Sequence, residues 1–193
     1  MTLYAAFYRE GNFRLLMTKF FGEILSRYGL HISQINTLGL PRVTYFEFIC
    51  RAQWLVPKID MFNIFYYVSY TGGCYLFNYR TANVLPCSKD PPKSFHDWKH
   101  WFFHIHRGVI PIEIHYRNES EGVPKIMIGG SYADRDWYKT LTKTPTAMLQ
   151  LEEKDLVATG MSLMWVPKDL RAAPINAHKG KGNSCWLFSI GFV

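Results

Sequence analysis

Cysteine is scarce in this chain. Its four cysteines, Cys50, Cys74, Cys87 and Cys185, stand far apart in 193 residues and form no C-x-x-C pair. That spacing argues against a compact disulfide scaffold and suits reduced thiols in a nuclear or cytoplasmic protein. Long apolar runs are missing too. The last nine residues, Cys185 to Val193, are mostly apolar, but they fall well short of the ~20 that span a bilayer. Near the amino terminus Arg9, Glu10 and Arg14 interrupt the apolar residues, so no signal-peptide core forms. The expectation is an intracellular protein, not secreted, with no transmembrane segment and no membrane partner.

Motifs that announce chemistry are absent as well. There is no phosphate-binding glycine-rich loop with its lysine, and no G-x-S-x-G elbow. Aspartate never occurs in the Thr-Gly or Ser-Gly context of an aspartic protease, and no nucleocapsid-type zinc knuckle is found. No block of five consecutive Lys or Arg exists, and no internal repeat is visible.

What is present can build a core. The chain is 48% hydrophobic and 17% aromatic, a composition that excludes global disorder. Its length fits one domain, or one domain with tails. A net charge of +7 and an isoelectric point near 9.2 favour acidic partners, among them RNA or DNA. The basic residues are scattered, so that partner rests on net charge alone.

Residues 1–16 lack clear periodicity and read as a loosely packed lead-in. Thr18 can cap a helix whose Phe20, Phe21, Ile24, Leu25 and Tyr28 share one face, with Glu23 and Arg27 paired four apart and Gly29 ending it. Residues 30–39 form a connector in which Ser33 can start a short turn. Pro41 suits the first turn of a second, amphipathic helix with Val43, Phe46, Ile49 and Cys50 on its buried face. Pro57 separates it from a third, spanning Ile59 to Val68 with Asp60 in its first turn. Gly72-Gly73 breaks the chain, and Cys74 to Arg80 alternates as a strand.

Beyond this, Ser94 can cap a helix through Trp98. Trp101, Phe103 and Ile105 alternate as a strand would, and Ile110 to Tyr116 does so more cleanly, with Pro111 marking an edge. Lys125 to Ile128 adds a short strand. Asp134 begins a helix through Leu141, Pro145 marks a boundary, and Leu149, Leu151, Leu156 and Val157 lie in a charged helix ended by Gly160. Residues 168–193 read as a basic irregular tail with an apolar end. The predicted class is α+β: an N-terminal unit of about three helices packed with a small, mainly antiparallel sheet, then further helices and the tail.

Each candidate constellation has a plainer reading beside it. His96, His100 and His104 are four apart, with His106 two further on. One continuous helix would align the first three as metal ligands, but a strand from Trp101 breaks the row, and no Glu supplies a zincin base. Asp134 and Asp136 flank Arg135, and Glu152, Glu153 and Asp155 cluster. A two-metal nuclease needs such carboxylates to converge from separate elements, while adjacent charges on a helix are usually a solvated face. Cys50 reads as a small buried hydrophobe, and nothing activates Cys74 or Cys87. Tyr75, Phe77, Tyr79 and Arg80, or Trp98, Lys99 and Trp101, could stack bases and contact phosphates. The same residues are ordinary core formers. No catalytic, metal or cofactor-binding residue is assigned, and no small-molecule ligand is predicted.

A series of ordered segments has a different standing. Tyr28-Gly29-Leu30-His31-Ile32-Ser33-Gln34-Ile35 is followed by Leu40-Pro41-Arg42-Val43, Phe46-Glu47-Phe48-Ile49-Cys50-Arg51, Met61 to Tyr67, Thr71-Gly72-Gly73 and Phe77-Asn78. Then come Pro91 to Lys99, Arg107-Gly108-Val109-Ile110-Pro111, Met161-Ser162-Leu163 and Trp165-Val166-Pro167-Lys168. In these segments the chain from Gly11 to about Lys168 resembles the gypsy-type transposon domain of plant open reading frames, also labelled a transposase. The resemblance implies a domain over 17–167 between lead-in and tail. It implies a protein derived from an LTR retrotransposon, gag-like and structural, with no catalytic residues to carry over; self-association, and weak non-specific nucleic-acid binding through the net charge, are expected of it. The alternatives are a metal-dependent transposase or nuclease, as the label has it, and a non-functional element relic. Such frames run on into a coiled-coil-prone region, whereas this chain departs from them after Lys168, which raises a truncated frame.

Overall fold

Thr18 starts the fold by accepting a hydrogen bond from the Phe21 amide at 3.2 Å, the standard service of an N-cap. The computed structural model describes residues 2–4, 17–80, 86–89, 100–104, 116–126, 131–143, 145–147 and 153–161. Helix α1 (Lys19–Tyr28) ends at Gly29, whose φ of 59° takes the left-handed turn. Helix α2 spans Gly39–Ala52 and helix α3 spans Ile59–Phe65. Strands β2 (Tyr66–Thr71) and β3 (Cys74–Tyr79) then form an antiparallel hairpin.

The remaining elements are short. Strand β1 (Thr2–Tyr4) pairs antiparallel with β5 (Phe102–His104). Strand β4 (Ser88–Lys89) pairs parallel with β6 (Thr146–Ala147). Helices α4 (Asp136–Lys143) and α5 (Glu153–Ala158) close the described chain. Helices packed with a small antiparallel sheet make the class α+β.

Aromatic rings hold the centre. Phe62 of α3 is stacked on Tyr66 at 4.5 Å between centroids and meets Phe46 and Phe77 edge-on, each at 5.3 Å. Phe20 of α1 joins from the other side, 5.8 Å from Phe46. One ring from each of the three helices and two from the hairpin thus share one cluster. Such rings supply the largest apolar areas a side chain can bury.

Several elements differ from the expectation, for physical reasons. The second helix is not amphipathic: every residue from Gly39 to Glu47 is buried, because α1, α3 and β3 enclose it. Gly39 lies so close to Ile35 that a Cβ there would stand 2.9 Å from its Cγ2. The third helix stops at Phe65, and Tyr66 to Val68 belong to β2. Those aromatic and β-branched residues fit a pleated surface, and the Gly72-Gly73 turn, with φ of 60° and 80°, folds β3 back to pair with them. Glu23 pairs with Lys19 at 3.7 Å rather than with Arg27. His31, not Ser33, caps the 3-10 turn Ile32–Gln34.

The opening residues, read as a loose lead-in, contribute β1, and Leu3 is fully buried. The expected strand alternation around Trp101 appears as β5. Helix α4 begins at Asp136 rather than Asp134, and Lys125 and Ile126 lie in no strand. The expected helix at 94–98, the strand core at 110–115, Leu149, Leu151 and the tail at 168–193 lie outside the described residues. Among the described residues no helix is long and apolar enough to cross a membrane.

Candidate interaction site

Most functional-looking polar side chains in this fold serve the fold. Arg42 is buried on α2. It donates from Nη1 to the Phe77 carbonyl and to Asn78 Oδ1, and lies 5.1 Å from the centre of the Tyr79 ring. Burial lowers its pKa below the usual guanidinium value. Arg80 donates from Nε to the carbonyls of Asn63 and Tyr66, at 2.8 and 3.2 Å. Arg117 reaches the carbonyls of Gly122 and Glu121, while its backbone amide donates to Gln34 Oε1 at 2.9 Å. Guanidinium groups committed to the chain's own carbonyls are poorly placed to meet phosphates.

Glu47 is the buried acid of α2. It accepts from Thr18 Oγ1 at 2.6 Å and from Arg51 Nε at 3.0 Å, and Arg51 Nη2 completes an ion pair at 2.8 Å. Burial raises its pKa above the usual carboxylate value, opposed by these partners. The network ties the start of α1 to the end of α2. Arg51 Nη1 also donates to the Thr159 carbonyl at 3.3 Å, which brings the end of α5 alongside.

Among the described residues the sequence candidates do not converge. His100 and His104 are exposed, and β5 breaks the helical row that would have aligned them. His96 and His106 lie outside the described residues. Asp134 and Asp136 are exposed, and Glu152 is not described. Among the described residues, no three His, Cys, Asp or Glu side chains come together as metal ligands. Cys50, Cys74 and Cys87 are buried. Burial holds the Cys50 thiol well above its ordinary pKa and pushes that of Cys87 up to about 12, the reverse of an activated nucleophile. Tyr75 and Phe77 lie in the core, so they offer no stacking platform. Trp98 and Lys99 are not described.

A feature the sequence did not single out stands apart. Helix α2 ends in a Schellman motif: the Leu55 amide donates to the Cys50 carbonyl at 2.8 Å and the Trp54 amide to the Arg51 carbonyl at 3.0 Å. The residue that must turn left-handed there is Trp54, with φ of 57°. It is the only non-glycine with positive φ among the described residues. Glycine takes such positions without strain, whereas an L-residue with a Cβ gives up about 1–2 kcal/mol. The indole recovers nothing by packing, since Trp54 is 96% exposed.

Beside it runs an open groove of about 650 Å³, between the end of α2, the loop to Pro57 and the end of α5. Phe48, Leu55 and Pro57 give it apolar lining, and Asp155 and Thr159 also line it. Val56, 73% exposed, extends the apolar rim. The sequence did hold a signal. Pro57 forces the helix to stop, yet Gln53 to Val56 contains neither the glycine nor the asparagine that usually makes that turn.

No protein-family model, curated protein or solved structure matches this chain.

Proposed function

We propose that this protein is a self-associating structural subunit, gag-like and derived from a retrotransposon, which works by binding and has no catalytic activity of its own. The observation that carries this reading is Trp54: a fully exposed indole, in a conformation that costs stability, at the lip of an apolar groove. Large exposed aromatic side chains are the typical anchors of protein interfaces. Each copy presents both knob and groove, so two copies can exchange Trp54 side chains across a two-fold axis. A weak, sequence-independent contact with RNA or DNA through the net charge of +7 is secondary, given the internal commitments of Arg42, Arg80 and Arg117.

Sedimentation of the wild type over a range of concentrations tests the reading. Mass should rise with concentration, and Trp54→Gly should shift that rise to concentrations at least thirtyfold higher. A wild type that stays monomeric at its highest attainable concentration refutes self-association.

A further inference from the structure

Helix α4 is anchored by its apolar face. Tyr138 and Leu141 are buried, Tyr138 is stacked against Phe65 of α3 at 5.6 Å between ring centroids, and Thr142 Oγ1 donates back to the Tyr138 carbonyl at 2.8 Å. The Lys139 amide donates to the Arg135 carbonyl at 3.1 Å, so Arg135 stands one helical turn before Lys139. Lys143 follows one turn after. At the helical rise the three cations lie about 6 Å apart along the axis, each turned only about 40° from the last. All three are exposed.

Other cations of the fold are engaged or stand alone. Arg42, Arg80 and Arg117 donate to the chain's own carbonyls, Arg51 pairs with Glu47 and Lys19 with Glu23. Arg27 is exposed but shares its helix face with Glu23, and Lys58 and Lys125 are exposed singly on separate segments. Among the described residues, no ion pair engages Arg135, Lys139 or Lys143.

A row of cations calls for a polyanion, and this chain supplies none. At a net charge of +7 a second copy offers no excess of acid. The residues outside the described set themselves hold more Lys and Arg than Asp and Glu, and no three consecutive acidic residues occur anywhere in the sequence. A lipid surface fits poorly, because a helix that lies on a membrane brings it an apolar face. The apolar face of α4 is in the core, and the exposed neighbours of the row are Asp136 and Thr140. A phosphodiester backbone fits, since it sets charges along a line and needs nothing apolar beside them.

We infer that Arg135, Lys139 and Lys143 of α4 form the contact of this protein with RNA or DNA, a row that meets the phosphates of one strand and reads no sequence. The inference rests on the nucleic-acid contact proposed above, to which it gives a place, and is independent of Trp54. A contact through phosphates does not distinguish ribose from deoxyribose, so RNA and DNA strands of one length bind alike. Asp136, three residues before Lys139, offsets part of the positive field.

The test uses the full-length chain carrying Trp54→Gly, so that assembly does not add to binding, and a short labelled single strand of mixed sequence, as RNA and as DNA. Affinity is followed by anisotropy against salt. Two triple variants of equal net charge are compared. One carries Arg135→Gln, Lys139→Gln and Lys143→Gln, and the other carries Arg27→Gln, Lys58→Gln and Lys125→Gln. Losing three phosphate contacts should lower the slope of log affinity against log salt by about 2, and weaken binding at low salt by about tenfold or more. The row variant should show both changes with both strands, while the scattered variant keeps the parent slope. Asp136→Asn should tighten binding. All these side chains are exposed, so the thermal midpoints should stay close to that of the parent. A second measurement needs no substitution in the row: the bound strand should shield Lys139 and Lys143 of the parent from acetylation and leave Lys58 reactive.

Equal losses in the two triple variants, or no shielding of Lys139 and Lys143, overturn the row and leave a contact through net charge alone. A parent that binds neither strand at low salt overturns the row and the nucleic-acid contact together, with self-association through Trp54, read by sedimentation, still standing. Row-dependent binding to phosphatidylserine vesicles, with no binding to either strand, assigns the row to lipid and overturns the inference.

Discussion

Replacing Trp54 by glycine should make the folded subunit more stable and less able to assemble. The left-handed backbone at Trp54, with φ of 57°, costs an L-residue about 1–2 kcal/mol relative to glycine. Glycine returns part of that through the greater freedom of its unfolded chain, about 0.5–1 kcal/mol. Nothing is lost in packing, because the side chain is 96% exposed. The net gain is at most about 1.5 kcal/mol. For a domain of this size, that raises the thermal midpoint by up to about 6 °C. The melt must be followed at concentrations where the wild type is monomeric, since association raises apparent stability by mass action. Association should weaken by about 2–4 kcal/mol, the range for an interface anchor, or about 30- to 1000-fold in Kd. A midpoint that falls by several degrees would show that the indole packs on its own subunit. An unchanged Kd would show that the groove is not the contact.

Gly39→Ala should destabilise despite alanine's better helix propensity. The propensity gain is at most about 1 kcal/mol, while the new Cβ would stand 2.9 Å from Ile35 Cγ2 and 3.5 Å from the Phe77 ring, an overpacking cost of about 1–3 kcal/mol. A urea midpoint at or above the wild type would refute this. Glu47 sets a pH dependence. Its folded pKa lies above the unfolded value, so its contribution to stability is fully present below the unfolded pKa and is lost as pH rises through the folded one. The stability difference between wild type and Glu47→Gln should therefore move in favour of the wild type on acidification from neutral pH. Movement the other way would mean that Arg51 and Thr18 outweigh desolvation. Cys50, Cys74 and Cys87 should resist a thiol reagent in the native state at pH 8 and react on unfolding. With the Cys87 pKa near 12, only about one thiol in ten thousand is ionised there. Rapid native labelling of any of the three would contradict the burial described.

Local chemistry was legible from the amino-acid order alone. The Thr18 cap, the Gly29 stop, Pro41 in a first turn, the break at Pro57 and the Gly72-Gly73 turn each act within a few residues, and the helices of the N-terminal unit and strand β3 followed from them. The residues from Tyr66 to Val68 show where that reach ends. Their pattern suits a helix continuing from Ile59, and they become a strand only because β3 is there to pair with them. Helix α2 likewise shows a single apolar stripe in sequence, yet is enclosed on all sides up to Glu47 because three other elements converge on it.

The candidate site belongs wholly to this second kind. Whether Arg42 meets a phosphate or its own chain depends on the Phe77 carbonyl 35 positions away. Arg117 is fixed through Gln34, separated by 83. Spacing along a chain carries no record of such distances, since they are set by how the layers pack. The amino-acid order determined a helical unit, a hairpin turn and thiols in no compact pattern. Packing alone decided that Trp54 would stand in solvent on a strained turn.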